Sequence, residues 1–293
     1  MYRSLSLRDF PKPEIPARKR SQSLVSSPDR VSSESTDEKW FLRPGARTND
    51  GVRLFCFPCA GYGAAMYRPW INARPGVLDV YPVQPPGRAN RLGEPAVASI
   101  PDLATRLAKA IAPLTDRPYA FFGHSFGATL AAFTCLELER EGCPVPVHLF
   151  LSARHPPNCP SPVSPMSHMS DDDFVSEINT RYGGIPEQIL NEPDILAMLL
   201  PALRADIRSL ELIEGQRVVD IPAPITTFGG LSDSIISADL IDYWQDWTSY
   251  GYRRMMFEGD HFFLDNQREA LLDEIAETLK YALGDSPRQR LQP

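Results

Sequence analysis

The chain has 293 residues, 43% hydrophobic and 23% charged, enough to bury a large core in one big domain or two small ones. A formal net charge of −7 argues against a general nucleic-acid or membrane-surface binder, because such proteins need a positive field toward phosphate. No apolar stretch reaches membrane-spanning length and the amino terminus lacks the apolar segment of a secretory signal, so a soluble cytoplasmic protein is expected.

Met1 to about Glu38 is rich in Ser, Pro, Arg and Lys and poor in large apolar residues, so residues 1–39 are expected to be a disordered N-terminal tail. Its basic run Arg18-Lys19-Arg20 reads as solvated tail before it reads as an address, and Asp9, Glu14, Asp29 and Glu34 count against a transit peptide. From Trp40 onward, short apolar runs alternate with helical patterns. Strands are predicted at Arg53–Phe57, Val80–Gln84, Tyr119–Phe122, His148–Ser152, Ile225–Phe228 and Arg254–Phe257. Helices are predicted at Pro101–Leu114, Phe126–Glu141, Ala238–Thr248 and Gln267–Leu283. Ser99 with Asp102 has the form of an N-terminal cap, and Gly142 and Gly284 follow helix ends as C-terminal glycines do. The alternation predicts an α/β fold, a mostly parallel central sheet flanked by helices, in one domain over residues 40–284. Residues 285–293 are expected to be a flexible C-terminal tail.

One stretch breaks the alternation. Met169–Gly215 has no strand-like run and carries two or three helical patterns, Asp171–Tyr182 stopped by Gly183-Gly184, and Pro193–Glu214 with a bend expected near Pro201. This helical insertion, about residues 163–215, is either a lid above the strand ends or a packing subdomain. Ile195, Met198, Leu199 and Leu203 recur in it at helical spacing, and their face is either core or the lining of an apolar channel.

The five cysteines, Cys56, Cys59, Cys135, Cys143 and Cys159, are odd in number and mostly sit in apolar strands or helices, which fits reduced thiols. Cys56-x-x-Cys59 ends a strand instead of opening a helix, and no second C-x-x-C or histidine cluster completes a metal shell. Core packing is expected, and no metal site is assigned.

The most informative segment is Tyr119–Ala132, an apolar strand driven into Gly123-His124-Ser125-Phe126-Gly127 and out into a helix of small residues. A Gly-x-Ser-x-Gly turn between strand and helix forces its serine into a strained backbone and exposes the hydroxyl, and the glycines let strand and helix approach closely. A serine hydroxyl is a poor nucleophile alone and needs a base, with a carboxylate to hold that base. In an α/β-hydrolase elbow these follow in the order Ser, Asp or Glu, His. His124 lies inside the elbow and is expected to be structural, while His148, His155 and His168 read as surface or loop histidines. His261 follows a late strand in Glu258-Gly259-Asp260-His261-Phe262-Phe263 and is the expected base. Asp233, just past the strand Ile225–Phe228, is the expected carboxylate. Asp260 is poorly placed to align its neighbour, and Asp239, Asp242 and Asp246 fall on the next helix. The oxyanion hole is expected from the backbone amides of Phe126 and of Ala60, the latter in the glycine-rich loop after the first strand.

Together these segments resemble the stand-alone type II thioesterases of polyketide and nonribosomal peptide synthesis, enzymes of antibiotic biosynthesis within the α/β-hydrolases. The resemblance is carried by Trp40-Phe41, Leu54-Phe55-Cys56-Phe57-Pro58 with Ala60-Gly61, Tyr67-Arg68-Pro69-Trp70 and Gln84-Pro85-Pro86-Gly87-Arg88, and by the elbow Gly123 to Ala128. Leu203-Arg204-Ala205-Asp206, Gly229-Gly230-Leu231-Ser232-Asp233 and Asp260-His261-Phe262-Phe263-Leu264 complete it. It implies hydrolysis of acyl groups held as thioesters on the phosphopantetheine arm of acyl or peptidyl carrier proteins, for editing or product release. Ser125, His261 and Asp233 would act without a metal or redox cofactor. The family often has two adjacent glycines after the alanine of the early loop, whereas here Tyr62 stands between Gly61 and Gly63. A small-ester esterase or an acyltransferase uses the same triad, and a non-catalytic acyl- or carrier-binding protein shares the fold. A monomer is expected.

Overall fold

The computed structural model describes residues 39–42 and 51–284. The tails expected over residues 1–39, Lys39 apart, and 285–293 lie outside the described residues. Six strands, β1 (Val52–Phe57), β2 (Leu78–Pro82), β3 (Tyr119–His124), β4 (Leu149–Ser152), β5 (Ile225–Gly230) and β6 (Tyr252–Phe257), form one sheet in the order β2-β1-β3-β4-β5-β6. Every pair is parallel. Strand side chains point alternately to opposite faces, so a doubly covered sheet must be apolar on both. In β1, Phe55 and Phe57 enter the core beneath α1 (Ile100–Ile111) and α2 (Phe126–Arg140), while Leu54 and Cys56 enter the core on the other face with α7 (Arg268–Ala282).

Departures from the predicted boundaries have local causes. β2 begins two residues early and ends at Pro82. Beyond it Val83 forms an antiparallel bridge with Phe41, and the Gln84 amide donates to the Trp40 carbonyl at 2.8 Å. The expected helix to Leu114 tightens into a 3₁₀ turn at Ala112–Leu114, where Pro113 supplies no amide. Likewise α6 is only Ala238–Asp242, followed by a 3₁₀ segment Tyr243–Trp247. In that geometry residues three apart eclipse, which sends Trp244 and Trp247 together into the core with ring centroids 5.4 Å apart. Ser99 caps α1 as predicted, its Oγ accepting from the Asp102 amide.

The insertion holds three helices, α3 (Asp171–Tyr182), α4 (Glu187–Leu190) and α5 (Pro193–Leu212). Gly183 ends α3 in the left-handed conformation. α5 runs through Pro201 as one helix. Phe174, Ile178, Leu200, Leu203 and Ile207 give the insertion a small core of its own. All five cysteines are free, with Cys56 and Cys59 buried. No helix among the described residues is long and apolar enough to cross a membrane, and no group of His, Cys, Asp or Glu among them is arranged to hold a metal ion.

Candidate active site

β3 delivers the chain to Ser125, whose φ of 54° and ψ of −117° are a conformation L-residues avoid, at a cost of about 1–3 kcal/mol. The surroundings impose it. A Cβ on Gly123 would lie 2.2 Å from the Gly127 carbonyl oxygen, and one on Gly127 would lie 2.1 Å from the carbonyl oxygen of Phe57. The Ser125 amide is tied to the Ser152 carbonyl of neighbouring β4 at 2.8 Å. Strand, elbow and helix are thereby locked, and Ser125 is presented to a cavity of about 340 Å³ that His261 also lines.

Asp233 and His261 come from the ends of adjacent strands β5 and β6. Their contact is direct, His261 Nδ1 to Asp233 Oδ2 at 2.7 Å, with side-chain exposures of only 6% and 1%. The other carboxylate oxygen accepts the amides of Ile235 and Ile236 at 2.9 and 3.0 Å. Burial opposes charge on Asp233, but the His261 hydrogen bond and charge and the two amides outweigh it and hold the carboxyl below its usual range. Bonding at Nδ1 leaves Nε2 as the ring nitrogen available as base. Asp260 instead accepts the Phe262 amide, and Asp242 pairs with Tyr252 and Arg254.

The remaining histidines require a correction. His124 is structural as expected, buried with Nδ1 2.9 Å from Ser152 Oγ, and His168 is exposed in a loop. His148 and His155, however, are buried. His148 bonds Thr226 Oγ1 at 2.8 Å, and His155 Nδ1 lies 3.0 Å from its neighbour's carbonyl, that of Pro156.

Phe126 is the first residue of α2, so its amide has no acceptor within the helix and sits at the positive end of the helix dipole. Ala60 lines the same cavity, in a turn closed by the Tyr62 amide on the Cys59 carbonyl at 3.1 Å. The next amide, Gly61, is drawn to Asp206 Oδ2 on α5 at 2.8 Å. That loop is fastened to the insertion twice, since Tyr62 Oη also donates to the Gly184 carbonyl at 2.7 Å.

The insertion covers one side of the cavity, where Ile178, Tyr182, Leu196 and Leu203 line it. Of the stripe noted on its helix, Leu199 and Leu203 line the cavity, together with Leu196 and Leu200, whereas Ile195 and Met198 are 41% and 49% exposed. The lining face of α5 is therefore rotated relative to the expected one. Three cavity residues were assigned no role from the sequence: Arg88, quoted only within a resembling segment, Arg154, and Tyr182, whose ring centroid lies 5.1 Å from that of His261. Asp206, which pairs with Arg88, lay in the resembling segment Leu203-Arg204-Ala205-Asp206 but was given no role.

Known proteins resemble this chain along most of its length. The thioesterase domain model matches residues 52–280. A protein named linear gramicidin dehydrogenase LgrE, of Brevibacillus parabrevis, is 37% identical over 249 residues, covering 84% of this chain and 95% of its own. A probable cadicidin biosynthesis thioesterase of Streptomyces griseus is 35% identical over 251 residues, 85% of this chain and 68% of its own. Among solved structures, the type II thioesterase BorB of the borrelidin biosynthetic cluster superposes with a TM-score of 0.71 at 32% identity, covering 82% of this chain and 97% of that one.

Proposed function

The chain belongs to the thioesterase domain family, and from this we propose that it is a serine thioesterase that frees acyl groups from the phosphopantetheine arm of acyl or peptidyl carrier proteins, for editing or product release. The observation that carries the chemistry is the buried 2.7 Å Asp233–His261 contact at a cavity shared with the strained Ser125. Ser125 Oγ attacks the thioester carbonyl carbon while His261 Nε2 takes its proton, and Asp233 stabilises the imidazolium. The oxyanion is met by the amides of Phe126 and Ala60. As the carbonyl reforms, the C–S bond breaks and His261 returns the proton to the departing thiolate. Water then attacks the acyl-enzyme, giving one proton to His261, which passes it to Ser125 Oγ as the acid leaves. The cycle uses only side chains, backbone amides and water. The mainly apolar cavity roofed by α5 suits an acyl chain, and the names of relatives from antibiotic pathways support the carrier. A cytoplasmic monomer fits this role.

The name of the gramicidin relative denotes a redox reaction. Here the loop after β1, Gly61-Tyr62-Gly63-Ala64-Ala65-Met66, leads into the 3₁₀ segment Ala64–Trp70, where a dinucleotide pyrophosphate requires the amino end of an α-helix. Hydrolysis is the better reading.

The test is a panel of acyl-carrier thioesters with matched small oxygen esters, followed by free thiol and carrier mass, for the wild type and Ser125→Ala. Faster deacylation of carriers by the wild type alone supports the proposal. Faster turnover of oxygen esters identifies an esterase, transfer to an added amine or alcohol an acyltransferase, and binding without turnover in either protein a non-catalytic acyl-binding protein.

A further inference from the structure

Arg154 follows β4 by two residues and lines the cavity that holds Ser125 and His261. It is 7% exposed, and its side chain makes no hydrogen bond or ion pair with any described residue. Burial pushes its guanidinium down from the ordinary value, and Tyr182, Glu214 and Cys159 act on it only through space. Arginine nonetheless stays protonated in proteins. A charge withdrawn from water without a partner costs several kcal/mol. The side chain does not sit there for want of an anchor. Its carbonyl accepts Trp244 Nε1 at 2.8 Å, and the preceding Ala153 is held at a φ of 51° with its amide on the Phe228 carbonyl at 2.8 Å. The backbone is thus clamped on both sides in a conformation that disfavours an alanine, and it keeps a five-donor cation in the mainly apolar cavity that Ser125 also lines.

We propose that Arg154 is a specificity-determining residue that receives an oxygen acceptor carried by the acyl chain, so that the enzyme favours oxygenated acyl groups, 3-oxoacyl or carboxyacyl, over plain alkanoyl groups of the same length. The inference rests on the acyl-thioester reading above. Its chemistry is that of a guanidinium in a low-dielectric site, where a carbonyl or carboxylate oxygen is the missing partner and a saturated chain leaves the charge unmet. A purely structural arginine would have its partners within the fold.

The experiment compares pantetheine thioesters of butanoate, 3-oxobutanoate and succinate as substrates for the wild type, Arg154→Met and Arg154→Lys, with thermal unfolding of each. The expected result is a wild-type kcat/KM preference for one or both oxygenated chains that drops roughly 10- to 100-fold in Arg154→Met and is partly restored in Arg154→Lys. The preference should be seen chiefly in KM, and Arg154→Met should melt at or above the wild-type temperature because an unmet charge has been removed. Whichever oxygenated chain gains more identifies ketone or carboxylate. Equal kcat/KM values for all three chains in the wild type overturn the proposal, as does an unchanged preference in Arg154→Met with a lowered melting temperature. Calorimetric binding of the three chains as non-hydrolysable pantetheine amides to the wild type decides the matter even if Arg154→Met fails to fold, with equal affinities counting against it. That binding also separates this inference from the thioesterase reading, which fails only if no thioester is turned over.

Discussion

Asp206 on α5 and Arg88 after β2 form a two-pronged ion pair, Nη1 to Oδ2 at 2.6 Å and Nη2 to Oδ1 at 3.0 Å, with both side chains buried. The same Oδ2 accepts the Gly61 amide, and Arg88 Nη1 also reaches the Tyr62 carbonyl at 3.2 Å. Helix α5, the loop after β1 that carries the proposed oxyanion donor Ala60, and the loop after β2 are therefore joined through one buried carboxylate. Asp206→Ala leaves a buried cation unpaired and is expected to cost about 3–5 kcal/mol in denaturant unfolding. It also releases the loop that carries Ala60, so kcat should fall by about 10²-fold under conditions where the variant is folded. A stable variant with wild-type kcat would show that the pair positions nothing.

Strain at Ser125 separates activity from stability. Ser125→Gly removes the proposed nucleophile and also the Cβ that makes a φ of 54° costly. Turnover should be abolished while stability rises by about 1 kcal/mol, the relief of strain exceeding the added chain entropy. Parallel kinetics and urea unfolding check this, and a variant less stable than the wild type would mean that the elbow is unstrained.

Tyr62 fastens the loop after β1 to the insertion through its bond to the Gly184 carbonyl, with its ring 6.4 Å from that of Phe262. Burial raises its phenol to about 12, so it is a donor throughout the neutral range. Tyr62→Phe keeps the ring and deletes the bond, at a cost of about 1 kcal/mol. The expected signature is faster hydrogen exchange in residues 183–186 with little change in the sheet. Unchanged exchange there would argue against a fastening role.

Acid stability should report the buried histidines. Burial is the main cause in each case, pushing His124 well below its ordinary value, His148 down to about 3 and His155 down to about 4, with Arg253 and Arg154 adding to the last two. In the unfolded chain a histidine titrates near 6.5, so as pH falls below about 6.5 the unfolded state binds protons that the folded state refuses. Stability is lost in that direction, by up to about 1.4 kcal/mol per pH unit for each histidine. Asp233, held below its usual range, contributes stability present above about pH 4 and lost as pH falls through its folded value. Urea midpoints should decline between pH 6.5 and 5, before carboxylates titrate. A flat profile over that window would show that these histidines are charged in the folded state.

The elbow was legible in sequence because its requirements are local: two glycines around a serine, an apolar strand before and small residues after. His261 and Asp233 could be chosen by chain order and by their places after predicted strands, and the structure brings them to 2.7 Å. The 3₁₀ segments were read as α-helix because apolar residues three apart suit both geometries, and only the packing of Trp244 on Trp247 separates them. His155 lies in a loop as expected, but its burial and that of His148 were not foreseen, because a histidine at the start of a strand or in a Pro-rich loop carries no local mark of burial.

The sequence by itself determined the order of strands and helices and the serine elbow, and it offered His261 and Asp233 as the elbow's candidate partners, because periodicity, turn chemistry and chain order express interactions between near neighbours or rules of connection. Only the tertiary structure decided which face of α5 lines the cavity and where the buried charges sit. Arg88 meets Asp206 across 118 residues of chain, and Arg154 is enclosed by the strand ends and the insertion together. Whether a charged side chain is solvated, paired or held in wait depends on what folding brings around it, and no local pattern records that.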